Sequence, residues 1–143
     1  MTQKRLGKLP PRYCFLLNPH SDVRLSKCPQ CKTLTRQKKF ALLIHIDGWG
    51  LLPFGKTCRW CPHCELIMVH QDELENLLTQ CFSSRKPEVI GNAYLVMGTL
   101  DMQVWRKGLK AAGSTLQDLL DNASDFKKHY DLKVDHGGWR MDP

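Results

Sequence analysis

The residues best suited to chemistry form two short motifs, Cys28-Pro29-Gln30-Cys31 and Cys61-Pro62-His63-Cys64, with 29 residues between them. Two residues between paired cysteines allow both sulfur atoms to reach one metal ion from a single turn. The proline stiffens that turn by fixing its φ at about −65°. Zn²⁺ prefers four thiolates in a tetrahedron, with Zn–S distances of about 2.3 Å. The spacing therefore predicts one Cys₄ zinc site whose ligands are Cys28, Cys31, Cys61 and Cys64.

An alternative ligand set includes Cys58, because Cys58-Arg59-Trp60-Cys61 has the same spacing as the other two motifs. That set is Cys28, Cys31, Cys58 and Cys61. Three histidines could each replace a thiolate, although four cysteines already saturate the ion: His45, His63 and His70. A saturated site leaves no position for water, so we expect a structural site without catalytic residues.

The paired motifs resemble the two knuckles of a zinc ribbon, and the resemblance covers about residues 25–70. Zinc ribbons are mostly non-catalytic modules that bind nucleic acid or protein, so the resemblance implies a scaffold and no reaction. The commonest pattern in that family has a glycine after the second cysteine of each knuckle. Here Lys32 and Glu65 stand at those two positions.

The second motif also resembles the active-site segment of thioredoxin-like enzymes, because Trp60 precedes it in the order Trp-Cys-Pro-His-Cys. Such a site needs a cysteine at a helix N-terminus, where the helix dipole lowers the thiol pKa. The Leu-Ile-Met-Val run at 66–69 favours a strand instead. No Thr-Pro pair follows it, and the first motif would stay unexplained. A thiol-disulfide oxidoreductase is therefore the alternative to a non-enzymatic protein.

Charge is distributed unevenly along the chain. Residues 1–64 hold 12 Lys/Arg and 2 Asp/Glu, whereas residues 65–143 hold 9 Lys/Arg and 12 Asp/Glu. A basic half that contains both motifs is expected to meet nucleic acid or an acidic protein of a larger assembly, and no small-molecule substrate. Basic residues would contact phosphates, and aromatic residues would stack on bases or grip a peptide. The predicted contact residues are Arg36, Lys38, Lys39, Lys56, Arg59, Trp49 and Phe54.

Composition points to a folded protein that does not enter a membrane. Hydrophobic residues make up 42% of the chain, which is enough for a core. No stretch approaches the ~20 apolar residues of a membrane span. The N-terminus lacks the apolar segment of a signal peptide. Paired CxxC spacings then favour a metal site over disulfides, so we expect a cytoplasmic protein.

The hydrophobic pattern predicts an α+β fold: a small Cys₄ zinc-ribbon sheet with an amphipathic helix, followed by a small α+β part. The predicted domains are a flexible basic arm at 1–12, the zinc-ribbon domain at 13–82 and the α+β domain at 88–140. Helices are expected at 72–82 and 115–129, because apolar residues recur there with the helical period. A long loop with three glycines is expected at 47–55.

Overall fold

The computed structural model describes residues 7–20, 23–106, 116–135 and 138–142. Of these residues 45% lie in strands and 21% in helices. The strands are β1 (Cys14–Asn18), β2 (Arg36–Ile46), β3 (Gly50–Cys61), β4 (Leu66–His70), β5 (Tyr94–Leu100), β6 (Ala123–Asp125), β7 (Lys128–Asp135) and β8 (Gly138–Asp142). The helices are α1 (Gln71–Phe82), α2 (Met102–Val104) and α3 (Leu116–Asp121), with a 3₁₀ turn at Pro87–Val89.

The chain divides into two compact units, each assembled from three separate segments. The cysteine unit comprises the described parts of Tyr13–Lys38, Thr57–Ile90 and Lys127–Pro143, and all seven cysteines belong to it. The cysteine-free unit comprises the described parts of Met1–Arg12, Lys39–Lys56 and Gly91–Phe126. The domains predicted at 1–12, 13–82 and 88–140 were defined as parts that fold on their own. Compact units do not test independent folding, so these domains stay a prediction.

In the cysteine unit, β4 pairs with two strands. It runs antiparallel to the end of β3, where Cys61 lies opposite Leu66, and parallel to β1, where Cys14 lies opposite the same leucine. Strand β1 also pairs in parallel with β7, which forms an antiparallel hairpin with β8. Every residue of β4 before His70 is buried. This strand therefore lies inside the sheet of the unit and holds one end of the second cysteine motif.

Helix α1 follows β4 directly and buries one stripe of its surface. Leu74, Leu78 and Phe82 recur every four residues and are buried, while the polar residues between them face solvent. The helix therefore begins one residue before the predicted Asp72 and ends where the sequence predicts. His70 is its N-cap residue and makes no side-chain capping bond.

In the cysteine-free unit, β5 is the central strand of an antiparallel arrangement. It pairs with the end of β2 on one side and with β6 on the other. Gly98 is required at the second contact, because a Cβ there would collide with the Ser124 carbonyl oxygen. An apolar cluster of this unit contains Ala41, Leu43, Leu100, Trp105, Leu119 and Ala123, and the unit also buries Lys56, Thr99 and Ser124.

The predicted α+β fold class is wrong, because strands dominate the described residues. Two segments account for much of the difference. The segment 47–55, predicted as a loop, is a tight turn followed by β3, which begins at Gly50; the turn is closed by the Trp49 amide donating to the Ile46 carbonyl at 3.0 Å. The helix predicted over 115–129 ends at Asp121, and the chain then extends into β6, where the backbone pairs with β5.

Candidate metal centre

The four cysteines of the two motifs lie together in the cysteine unit. All four sulfur atoms are within 4.8 Å of one another. The Sγ atoms of Cys31 and Cys61 are 3.5 Å apart, and those of Cys28 and Cys64 are 3.9 Å apart. A tetrahedral zinc ion with Zn–S bonds of about 2.3 Å places its sulfurs about 3.8 Å apart. The cluster therefore has the size that one metal ion requires.

The same distances rule out disulfide bonds within the cluster. A disulfide needs sulfur atoms about 2.0 Å apart, and none of the seven cysteines, all of them described residues, forms a disulfide bond. Four neutral thiols this close together interact only weakly with one another, whereas four thiolates bind one metal ion strongly. The arrangement can therefore hold a metal ion.

The first motif forms the tip of a short hairpin, residues 26–36, which we name the knuckle hairpin. The Cys28 amide donates to the Thr33 carbonyl and the Lys32 amide donates to the Cys28 carbonyl, both at 2.8 Å. Behind the tip, Lys27 and Leu34 form an antiparallel bridge. These backbone bonds hold Cys28 and Cys31 on one turn, as the CxxC spacing requires.

The second motif forms the turn between β3 and β4. Cys61 is the last residue of β3, and Leu66, the first residue of β4, is its antiparallel partner. The Cys64 amide lies 3.4 Å from Cys61 Sγ, and in the first motif the Gln30 amide lies 3.4 Å from Cys28 Sγ. Backbone amides that point at a sulfur stabilise its thiolate form. The two turns therefore place a backbone amide at the same distance from their first sulfur.

The residue after each second cysteine adopts the left-handed conformation. The φ angle is 65° at Lys32 and 51° at Glu65, in a region where glycine is the usual residue. The sequence departs from the zinc-ribbon pattern at these two positions, yet the backbone follows the path that a glycine would take. The two turns therefore share one local geometry without the residue type that normally permits it.

An apolar cluster surrounds the four sulfur atoms. Cys28 and Cys61 are fully buried, whereas Cys31 and Cys64 are partly exposed. The buried side chains around them are Leu16, Val23, Leu25, Leu66 and Met68, and Cys14 and Tyr130 pack against the same cluster. Neither Cys14 nor Tyr130 was connected to the site from the sequence, because nothing in the spacing links β1 or β7 to the motifs.

The surroundings change the thiol pKa values in opposite directions. Burial raises the pKa of Cys28 above its ordinary value of 9.0, and burial likewise raises the pKa of Cys64. The Thr33 hydroxyl, with its oxygen 3.2 Å from Cys31 Sγ, and the Thr33 amide lower the pKa of Cys31 to about 6. A bound cation reverses the effect of burial, because it binds only the thiolate.

The alternative ligands lie outside this cluster. Among the described residues, the metal-capable group that contains Cys28 includes neither Cys58 nor a histidine. Cys58 is buried within β3, and His45 and His63 are exposed. The Nε2 atom of His70 lies 2.7 Å from the Val23 carbonyl oxygen. The structure therefore groups Cys64, and not Cys58, with the other three cysteines.

The second motif lacks the setting of a thioredoxin-like active site. Such a site places its first cysteine at a helix N-terminus. Here strand β3 precedes the turn and strand β4 follows it, so no helix dipole acts on Cys61 or Cys64. The geometry thus removes one physical cause of a reactive thiolate.

The predicted contact residues are divided between the two units and differ in exposure. In the cysteine unit, Arg36 and Lys38 are exposed and Arg59 is half-buried. In the cysteine-free unit, Lys39 is exposed, Trp49 is 40% exposed and Phe54 is half-buried. Lys56 is only 7% exposed, so its ammonium group is poorly placed to meet a partner. The Lys38 ammonium lies 5.3 Å from the centre of the Trp60 ring, a distance suited to a cation–π contact.

Three exposed cations of the cysteine unit were missed in the sequence analysis: Arg24, Lys27 and Lys32. The signal that would have found them is the absence of any Asp or Glu between residues 23 and 46. The segment that carries the first motif is therefore uniformly basic.

No helix among the described residues is both long and apolar enough to cross a membrane. Comparisons with protein-family models, curated proteins and solved structures found no match for this chain.

Proposed function

We propose that this chain is a non-enzymatic zinc-binding adaptor whose basic N-terminal half contacts nucleic acid. The observation that carries the proposal is the grouping of four cysteine sulfurs within 4.8 Å, at the tips of two backbone turns with the same geometry. A metal bound by four thiolates has no open coordination position, so its role is to stabilise the fold.

Zinc is the ion that fits this ligand set best. A tetrahedral set of four thiolates is typical of zinc or of iron–sulfur chemistry. The 3.5 Å and 3.9 Å sulfur separations match a single ion with Zn–S bonds of about 2.3 Å. An iron–sulfur cluster would add bridging sulfides between the cysteines and would need a wider cage.

Nucleic acid is the partner that the charge pattern favours. The knuckle hairpin and its flanks carry exposed cations and no carboxylate, and Lys and Arg supply most contacts to phosphate. Zinc would fix the position of these cations by holding both cysteines of the first motif. An acidic protein would satisfy the same charges, and it is the other outcome of the test below.

The test has two parts, both made on the full chain. Elemental analysis should find one zinc per chain. Binding to a random-sequence oligonucleotide, followed by fluorescence anisotropy, should weaken by roughly 50- to 150-fold between 50 mM and 200 mM salt if about four phosphates are contacted.

Three results would contradict the proposal. A purified chain without bound metal would remove its structural basis. Absence of oligonucleotide binding at low salt would assign the basic surface to a protein partner. Turnover of a disulfide substrate by the metal-free protein would replace the adaptor with a thiol-disulfide oxidoreductase.

A further inference from the structure

Leu34 is the most exposed large hydrophobic residue among the described residues, with 68% of its surface accessible. It lies on the knuckle hairpin, three residues after the cluster cysteine Cys31. Single exposed leucines are common on protein surfaces and need no explanation. This leucine differs from them in what surrounds it.

Exposed cations flank Leu34 on the knuckle hairpin. Lys27 is its partner across the antiparallel bridge, Lys32 lies two residues before it, and Arg36, the first residue of β2, lies two residues after it. All three cations are therefore close to Leu34, either along the chain or across the bridge. No described carboxylate forms an ion pair with Lys27 or Arg36. We name these four residues, Lys27, Lys32, Leu34 and Arg36, the cationic tip.

The backbone of the cationic tip is held in place before any partner arrives. The Thr35 amide donates to the Ser26 carbonyl at 2.9 Å, and the Thr35 hydroxyl donates to the Leu25 carbonyl at 2.5 Å. A metal bound to Cys28 and Cys31 would fix the turn from the other end. Binding to this hairpin would therefore cost little backbone entropy, which favours affinity.

We infer that the cationic tip binds single-stranded nucleic acid, with the cations on phosphates and a base packed against Leu34. This inference rests on the proposed function and adds to it the form of the nucleic acid and the contact surface. A single strand exposes the faces of its bases, which an apolar side chain can cover. A duplex keeps those faces stacked, and inserting a leucine between them requires unstacking.

The composition of the tip favours nucleic acid over an acidic protein. Lysine is depleted at protein–protein interfaces relative to the rest of the surface. In contrast, lysine and arginine are the main ligands of phosphate oxygens. Two of the three cations beside Leu34 are lysines, and all three are exposed.

The experiment compares a 12-nucleotide single strand with the matching duplex, using the zinc-loaded full chain and fluorescence anisotropy. The wild-type chain should bind the single strand more tightly than the duplex. Leu34→Ser should weaken single-strand binding about 5-fold, because it removes the apolar surface under the base, and should leave the salt dependence unchanged. Arg36→Gln should instead reduce the slope of log K against log[salt] by about 0.7.

Two matched variants serve as controls. Leu95→Ser alters a leucine that is 51% exposed in the cysteine-free unit, and Lys128→Gln removes an exposed cation of β7. Both should bind the single strand as the wild-type chain does. The zinc content of every variant shows whether the cysteine unit remains intact.

The outcomes separate this inference from the proposed function. Two results would overturn the inference about the cationic tip while the adaptor proposal stands. Either Leu34→Ser binds the single strand as well as the wild-type chain does, or the wild-type chain binds the duplex as tightly as the single strand. If the wild-type chain binds no oligonucleotide at low salt, both proposals are overturned and an acidic protein becomes the partner to seek.

Discussion

The two units of this chain are stabilised by different kinds of core. The cysteine-free unit has an apolar core cluster, in which Ala41, Leu43 and Ala123 are the most buried residues. The cysteine unit places Cys28 and Cys61, both fully buried, inside its apolar cluster. A buried thiol is a small hydrophobe when neutral, but a cluster of four is useful only when a cation holds them together.

The difference predicts that the two units respond differently to the loss of a single group. Removing a buried apolar side chain typically costs about 2–5 kcal/mol. A structural zinc in a zinc-finger peptide contributes about 10–16 kcal/mol at pH 7, which exceeds the ~5–15 kcal/mol total stability of an average domain. The folding of the cysteine unit should therefore depend on metal, whereas that of the cysteine-free unit should not.

Breaking the metal site should have the largest effect. Cys61→Ser removes one of the two fully buried sulfur atoms of the proposed zinc site, so we expect loss of most bound zinc and unfolding of the cysteine unit. Hydrogen exchange followed by mass spectrometry should show lost protection in β1, β4 and α1. Peptides from the core of the cysteine-free unit, such as β5, should stay protected.

The control is Cys81→Ser, which changes a partly exposed cysteine on α1 that is outside the metal-capable cluster. This variant should keep one zinc per chain and the exchange pattern of the wild-type protein. Full zinc occupancy in Cys61→Ser would show that another side chain completes the site. Cys58 would then be the first residue to examine.

The next largest effect should be the change of the apparent zinc affinity with pH. The raised pKa values of Cys28 and Cys64 mean that both thiols carry protons at pH 7, whereas Cys31, with a pKa of about 6, is already mostly ionised. Zinc must therefore displace at least the protons of Cys28 and Cys64. The apparent zinc affinity should rise at least about 100-fold per pH unit near neutrality, and calorimetry in buffers of different ionisation enthalpy should detect the released protons.

The folding stability of the metal-free protein should fall at alkaline pH, whereas the zinc affinity should rise with pH. A thiol whose pKa is raised in the folded state stabilises that state below its ordinary pKa of 9.0, and this stabilisation is lost as the pH rises above it. Denaturant titrations of the metal-free chain should therefore show falling stability above about pH 9. A zinc affinity that is independent of pH would show that the four thiols are already ionised.

The cysteine cluster was predictable from sequence because its chemistry is local. Each pair of cysteines is joined by a turn of two residues, and four soft ligands have few alternatives to sharing an ion. Helix α1 was predictable for a similar reason, since its stripe of Leu74, Leu78 and Phe82 repeats with the helical period. Both features depend on residues that are close in the chain.

The rest of the fold depends on contacts between distant segments. Strand β3 begins at Gly50 and contains Pro53, which are local signals for a loop, yet its neighbours β2 and β4 keep it extended. Residues 123–125 match a helical apolar pattern, but the backbone pairs with β5 instead. Lys56 was predicted to contact a partner because of its charge, and only the packing within its unit reveals that it is buried.

The smallest effect is expected for Glu65→Gly. This variant tests whether the absence of glycine after the second cysteine strains the turn. Glu65 has a φ of 51°, and the left-handed conformation costs a residue with a Cβ about 1–2 kcal/mol. Glu65→Gly should remove this cost, but glycine also raises the conformational entropy of the unfolded chain and so cancels part of the gain. The net stabilisation should be about 0.5–1 kcal/mol. The Lys127–Glu65 pair that it removes is 4.0 Å apart and largely exposed, so its loss matters little.

The matched control for this last prediction is Gln37→Gly, at an exposed position of β2 with an ordinary strand conformation. Glycine within a strand destabilises it by about 0.5–1 kcal/mol, so this variant should shift the denaturation midpoint in the opposite direction. Both variants are measured as zinc-loaded chains by chemical denaturation. If Glu65→Gly destabilises the protein as much as Gln37→Gly does, the turn is unstrained and Glu65 contributes contacts that outweigh its backbone conformation. If it stabilises, the turn between β3 and β4 carries a backbone strain at Glu65 that the folded cysteine unit tolerates.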